Sequence, residues 1–289
     1  MFKTIIAALD HDEHAEEVLD ATAAIAGSAH VEVVHIHDLF GSRPDAEALM
    51  QAAVDHLAQQ GVESAGQLRV VTRGRRAEEI AEAEADQPAD LIVMGSHGRS
   101  DLAALVLGSV GHQAMQRSGA PFLFLRGEFA AARLRSVRAG GRVLVAVNGS
   151  ESPAELAELV KTIAPGSRAL VFHVREMAVA EAMTYVEPAD DGAAIVAAVA
   201  RALMSRGVQA ESIAALETES VPKRIVRQAK DYRADLIVVG SRRLSSAAGL
   251  LLGSVAHEVI HLADRPVLVA GRLNARVTAA RRAAAMAPA

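Results

Sequence analysis

Residues 89–99 read Ala89-Asp90-Leu91-Ile92-Val93-Met94-Gly95-Ser96-His97-Gly98-Arg99, and residues 234–243 read Ala234-Asp235-Leu236-Ile237-Val238-Val239-Gly240-Ser241-Arg242-Arg243. Each is a short apolar run rich in β-branched residues that ends on a glycine, the pattern of a buried parallel strand stopping at a turn. In an open α/β sheet, ligands bind outside the carboxyl ends of the strands, so the segment after each run is where chemistry is expected. Gly95 and Gly98 let the backbone adopt positive φ and let an anion approach its amides with no Cβ in the way. Gly108 and Ser109 follow, and Val110 to Gln116 reads as a helix with Ser109 as its N-cap. A helix N-terminus beside a loop of free amides is a phosphate site.

Outward from this stretch, the amino-terminal half alternates strands and helices. Lys3 to Leu9 is a buried-type strand that stops at Asp10. Helical spacing follows through Val18, Leu19, Ala23 and Ile25 to Gly27. Val31 to His37 is a second strand, Pro44 to Gln59 a helix closed by Gly61, Leu68 to Val71 a short strand and Arg75 to Asp86 a helix. After the glycine loop and its helix, Pro121 to Leu125 is the last strand. Five strands alternating with helices predict a parallel, doubly wound sheet.

The same phrases return in the second half, so the chain is a tandem repeat. Arg142 to Val147 ends at Asn148-Gly149-Ser150 as the first strand ends at Asp10. Phe172-His173-Val174 answers Val34-His35-Ile36. Leu252-Gly253-Ser254-Val255 answers Leu107-Gly108-Ser109-Val110, and Arg265-Pro266-Val267 stands where Ala120-Pro121-Phe122 stood. The expected organisation is a first domain over 1–127, a linker over 128–140, a second domain over 141–272 and an Ala- and Arg-rich tail over 273–289.

Composition narrows the function classes. The chain has 289 residues, a formal net charge of −5, 3% aromatic residues and no cysteine. It lacks the basic footprint and the stacking aromatics of a nucleic-acid binder, and it has no disulfide framework or thiolate chemistry. No apolar run approaches the roughly 20 residues a membrane span requires, and a cytoplasmic location is expected. Neither a P-loop nor a dinucleotide fingerprint occurs.

Gly95-x2-Gly98-x9-Gly108-Ser109, Asp10 at the end of the first strand and the phrase His35-Ile36 resemble the universal stress protein family, in its ATP-binding class and tandem two-domain form. The resemblance covers residues 2 to 126 and 141 to 271. It implies two tandem Rossmann-like domains of the adenine nucleotide alpha hydrolase type, each a five-stranded parallel sheet flanked by helices. It also implies ATP, accompanied by Mg²⁺ held mainly by phosphates and water, and a stress-response role. By the same resemblance Asp10 is the carboxylate that hydrogen-bonds the ribose, and Ile36 packs on the adenine while its backbone reads the base edge. Gly95 and Gly98 cradle ribose and phosphates, and Gly108, Ser109 and Val110 supply the contacts of the helix N-terminus. His97 and Arg99 lie in the loop on the phosphate side. The corresponding positions of the second repeat are Asn148, Val174, Gly240, Gly253, Ser254 and Val255.

The second repeat departs from the pattern where Arg243 replaces the second glycine and Asn148 the aspartate, so the amino-terminal site is expected to be the tighter. Three classes of function follow: a nucleotide-dependent regulator, a slow ATP hydrolase assisted by Asp10, His97 or Arg99, and a nucleotide-free scaffold. No catalytic residue and no metal site are assigned. His35 and His37 share a strand face, with His11 and His14 in the preceding loop, but no second shell is identifiable for them, and His257 and His261 at i, i+4 read as a solvated or capping pair near a helix C-terminus. Glu78, Glu79, Glu82 and Glu84 read as an exposed helix face. The strand 122–124 is expected to pair with 267–269, making a pseudo-dimer of the two domains, and a homodimer of such chains fits the family.

Overall fold

A computed structural model describes residues 1–9, 15–39, 41–71, 76–95, 109–126, 129–175, 177–180, 183–217, 220–240 and 253–271. The first repeat runs β1 (Thr4–Leu9), α1 (Ala15–Ala26), β2 (His30–Asp38), α2 (Arg43–Gln59), β3 (Ser64–Val71), α3 (Arg76–Asp86), β4 (Leu91–Gly95), α4 (Ser109–Arg117) and β5 (Phe122–Leu125). Its strand order is β5-β4-β1-β2-β3. The β1–β2, β1–β4 and β2–β3 ladders are parallel, with Ala8 level with Met94 and Leu9 with His35. The chain leaves β1 toward β2 and β3, then returns to place β4 on β1's other side, which makes the β1/β4 boundary the switch point where such sheets bind ligands.

The second repeat runs β6 (Arg142–Ala146), α6 (Pro153–Ile163), β7 (Arg168–Arg175), β8 (Met177–Ala180), β9 (Met183–Val186), α7 (Ala189–Met204), β10 (Gln209–Leu216), α8 (Val221–Asp231), β11 (Leu236–Gly240), α9 (Ser254–Leu262) and β12 (Val267–Ala270). Its order, β12-β11-β6-β7-β10, is that of the first repeat. The α/β class and the duplicated topology therefore agree with the sequence reading.

The central strands are buried on both faces. Ile5, Ile6, Ala7, Leu91, Ile92 and Val93 are all at 0% exposure, as are Val143, Leu144, Val145, Leu236, Ile237 and Val238. That is why they read as continuous apolar runs and not as alternating ones. Helices cover them with one apolar stripe each: α1 buries Val18, Leu19, Thr22 and Ile25, and α6 buries Leu156, Leu159, Val160 and Ile163. Helix starts follow local chemistry. Ser152 caps α6 by accepting from the Glu155 amide, with Pro153 at the first helical position.

The aspartate that opens each diagnostic phrase has a structural job. Asp90 Oδ2 accepts from the Lys3 amide at 2.6 Å, and the Asp90 amide donates to Thr4 O at 2.9 Å. Asp235 Oδ2 accepts from the Arg142 amide at 3.0 Å and from Ser136 Oγ at 3.1 Å, while its own amide donates to Arg142 O at 2.7 Å. Each carboxylate thus ties the start of one central strand to the start of its neighbour.

Four features depart from the sequence reading. The linker contains a helix, α5 (Ala130–Arg138), whose Ala130, Leu134 and Val137 are buried. The α4 helix begins at Ser109, one residue before the expected first helical residue. Glu84 does not join an exposed face. It is 8% exposed, and burial raises its pKa, although the Gly119 amide and Ser118 hydroxyl favour the charged form. The hairpin β8–β9, antiparallel with Met177 level with Val186, has no counterpart in the sequence reading. The tail over 273–289 lies outside the described residues.

Two predictions follow from this framework. A Cβ at Gly141 would lie 2.5 Å from Asp235 Oδ2 and 2.8 Å from the Ser136 backbone. Gly141→Ala should therefore cost about 2 kcal/mol, as overpacking does, seen as a lower urea midpoint with an unchanged m-value. Tyr232, the C-cap of α8, has its pKa pushed up from 10.0 to about 12, first by desolvation and then by Glu211, with Arg142 and Arg168 opposing. The folded state then holds the phenolic proton more tightly than the unfolded chain, so this contribution is complete below about pH 10 and is lost as pH rises toward 12. Melting temperatures across that window should fall more steeply for the native chain than for Tyr232→Phe; parallel curves would refute it.

Candidate functional site

Strand ends at the two switch points supply the candidate sites. In the first repeat, β1 ends at Leu9 and β4 at Gly95, one residue beyond the Ala8–Met94 pair. Ile36 follows the Leu9–His35 pair on β2 and is 6% exposed. The structure therefore gathers Ile36 and Gly95 on the strands flanking β1, at its carboxyl end. Ser109 and Val110 open α4. Asp10, His97, Gly98, Arg99 and Gly108 lie outside the described residues.

Gly95 is not among the described glycines with positive φ, contrary to the sequence expectation for it. Among the described atoms, a Cβ there would meet Val18 Cγ2 at 3.6 Å, an ordinary van der Waals contact. Gly95 ends β4 without an unusual backbone turn.

His35 is 2% exposed, and its Nδ1 lies 3.3 Å from Leu9 O. His173 repeats the contact, with Nδ1 2.9 Å from Val147 O. Read with Nδ1 protonated, each ring donates across the sheet to the carbonyl beside the switch point. This bracing role was invisible in the sequence, although the recurrence of histidine at equivalent places signalled it. Among the described residues, no group of three or more His, Asp or Glu could hold a metal ion. His257 and His261 pack against each other edge to face, with Nε2 atoms 3.3 Å apart. Desolvation, then His257, then Arg126 lower the His261 pKa.

The second repeat shows its strand end more fully. Val174 is 6% exposed at the place of Ile36. Asn148 Oδ1 accepts from the Ser150 amide at 3.0 Å and from its hydroxyl at 2.7 Å, and Gly149 adopts φ 87°. Glu151 turns back onto this corner. Its Oε2 accepts from the Asn148 and Gly149 amides, both at 3.1 Å, and its Oε1 from the Asn148 amide at 3.3 Å. The same carboxylate lies so close over Gly240 that a Cβ there would collide with Oε1, Cγ and Cδ. Gly253 is the N-cap of α9 in extended conformation, and Ser254 and Val255 begin the helix, Ser254 exposed.

The β8–β9 hairpin leaves from the same rim, directly after β7. Its base is fastened at Glu187. His173 Nε2 lies 2.9 and 3.0 Å from the two carboxylate oxygens, and Arg175 Nε and Nη2 donate to Glu187 O at 3.0 and 2.6 Å. His173 thus links the strand-end carbonyl on one side to the hairpin base on the other.

Comparison with known proteins agrees with this geometry. The sequence model of the universal stress protein family matches residues 1–126 and 141–271. The universal stress protein Rv2005c of Mycobacterium tuberculosis is 31% identical over 195 residues, 65% of this chain and 63% of that protein, so the match spans under two thirds of the relative's length. The universal stress protein YxiE of Bacillus subtilis is 31% identical over 145 residues, 44% of this chain and 97% of its own length. Among solved structures, a universal stress protein from Archaeoglobus fulgidus superposes with a TM-score of 0.71 at 20% identity, over 93% of this chain and 98% of that one. At that identity the likeness shows the fold alone. With both repeats matched and the strand order duplicated, the chain belongs to the universal stress protein family as a tandem of two of its domains.

Proposed function

We propose that this protein is a nucleotide-dependent regulator in the stress response, binding ATP with Mg²⁺ at the switch point of its first repeat. Membership of the family supports the stress-response role. The observation that carries the nucleotide is the placement of Gly95 and Ile36 at the carboxyl ends of the strands on either side of β1, with the Gly98-x9-Gly108-Ser109 spacing leading into α4. An apolar shelf suits a base, an aspartate following β1 suits a ribose diol, and glycine amides with a helix N-terminus suit phosphates. Asp10 would hold the ribose, Ile36 the adenine, and Gly95, Gly98, Gly108, Ser109 and Val110 the ribose and phosphates. His97 and Arg99 would stand beside the phosphates as donors. Bound Mg²⁺ would offset phosphate charge while keeping most of its water.

Regulation, not turnover, is the favoured output, because the residues that match the family are binding residues and none is placed as a general base. In the second repeat, Asn148, Val174, Gly240, Gly253, Ser254 and Val255 keep the outline of the site. Arg243, where the first repeat has Gly98, makes it the weaker of the two.

Isothermal titration of the intact chain with ATP and Mg²⁺ tests the reading. Gly98→Glu puts a side chain and a negative charge where phosphate is to approach, and should weaken binding at the first repeat at least about a hundredfold, some 2.7 kcal/mol. A melting temperature unchanged without nucleotide would show that the fold is intact. Equal binding by the native chain and the variant would refute the assignment of the loop.

A further inference from the structure

Helices α3 and α8 hold the same place in the two repeats, each leading into the strand that flanks the central one, yet their outward faces carry opposite charge. Both are 11 residues long. Laid end to end, with Arg76 on Val221 and Asp86 on Asp231, their buried stripes coincide. Ala77 falls on Pro222, Ile80 on Ile225, Ala81 on Val226 and Glu84 on Ala229, all buried. The outward positions are therefore equivalent too, and there Glu78 falls on Lys223, Glu79 on Arg224 and Glu82 on Arg227. Glu78, Glu82 and Asp86 recur at every fourth residue and make one acidic row; Lys223, Arg227 and Lys230 make one basic row. At 1.5 Å per residue the rows span about 12 Å and about 10 Å.

The basic row works against its own helix. Like charges one turn apart repel, and cations in the first turn oppose the helix dipole, where α8 has no acidic residue. Some charges are answered nearby. Arg117 Nη2 lies 3.4 Å from Glu78 Oε1, and Lys230 Nζ lies 3.8 Å from Asp264 Oδ2. Arg224, with Nε 3.7 Å from Glu217 Oε2, is turned to its own domain. Lys223 and Arg227 are exposed and have no ion-pair partner among the described residues.

We propose that the basic face of α8 docks on the acidic face of α3 in a second copy of this chain. The rows match in sign and in length, and every copy carries one of each. The same charges oppose the two like contacts, α3 on α3 and α8 on α8, so the pairing is between unlike faces. Exposed ion pairs are individually weak. The contact is accordingly reversible and salt-dependent, with charge setting the choice of partner more than the affinity. It does not depend on the nucleotide reading given above.

Sedimentation velocity of the intact chain over a range of concentrations, without nucleotide, tests this. The native chain should self-associate in dilute salt, with an association constant that falls at least about tenfold between about 0.05 M and about 0.3 M NaCl. Lys223→Glu with Arg227→Glu reverses the α8 row, and Glu78→Lys with Glu82→Lys reverses the α3 row. Each variant alone should lose the association while keeping the native circular dichroism spectrum. An equal mixture of the two should associate again, one variant with the other. If a double substitution disturbs the fold, Arg227→Glu and Glu82→Lys alone take its place. A native chain that does not self-associate overturns the proposal, as does association indifferent to salt or to both reversals. Failure of the mixture to associate overturns it as well. So does a monomeric native chain that sediments with vesicles containing phosphatidylserine but not with phosphatidylcholine alone, which would assign the basic row to an anionic membrane surface.

Discussion

A carboxylate bonded to the first amide of the neighbouring strand holds each half of this molecule in register. Asp90 does this for β1 and β4, and Asp235 for β6 and β11. Parallel strands have no tight turn to fix their pairing, because a long crossover joins them. A side-chain tie at the start of the central pair does that work instead. Strands that begin level and run for similar lengths also end level, and the switch-point crevice exists only because they do. The histidines at the far end, His35 and His173, complete the frame by reaching across to the last carbonyls of the adjacent strands.

The second repeat builds its rim onto this common frame with groups of its own chain. There the chain folds back on itself twice, through Glu151 onto the amides of Asn148 and Gly149 and through a hairpin anchored at Glu187. Both additions use polar groups that the frame already presents. They change the rim and leave the apolar strands of the core untouched, which is how duplicated domains diverge without loss of fold.

Much of this was legible in sequence, for definable reasons. Buried parallel strands are continuous apolar runs, so Leu91–Gly95 and Leu236–Gly240 announced themselves, and their near-identity exposed the duplication. The partner choices of acidic groups were hidden. Glu84 reads like the exposed Glu82 until the helix is docked against Ser118 and Gly119, and Glu151 looks like an ordinary residue of a helix start until the strand ends are assembled. The β8–β9 pairing leaves no mark in the sequence, because Met177 to Val186 holds no glycine, proline, asparagine or aspartate. The positive φ expected at Gly95 does not occur, because the residue still belongs to the extended strand β4.

The helix in the connecting segment changes what counts as the second domain. At 1.5 Å per residue, α5 is a compact element that presents Ala130, Leu134 and Val137 to the interior, not a tether. Gly141, directly after it, cannot be enlarged without disturbing Ser136 and Asp235. By its buried side chains α5 folds with the second repeat, although the duplicated sequence itself is matched only from residue 141. Severing the chain at residue 140 would strip three buried side chains from the domain and deprive Asp235 of its Ser136 partner. The connector is in this sense the amino-terminal end of the domain it introduces.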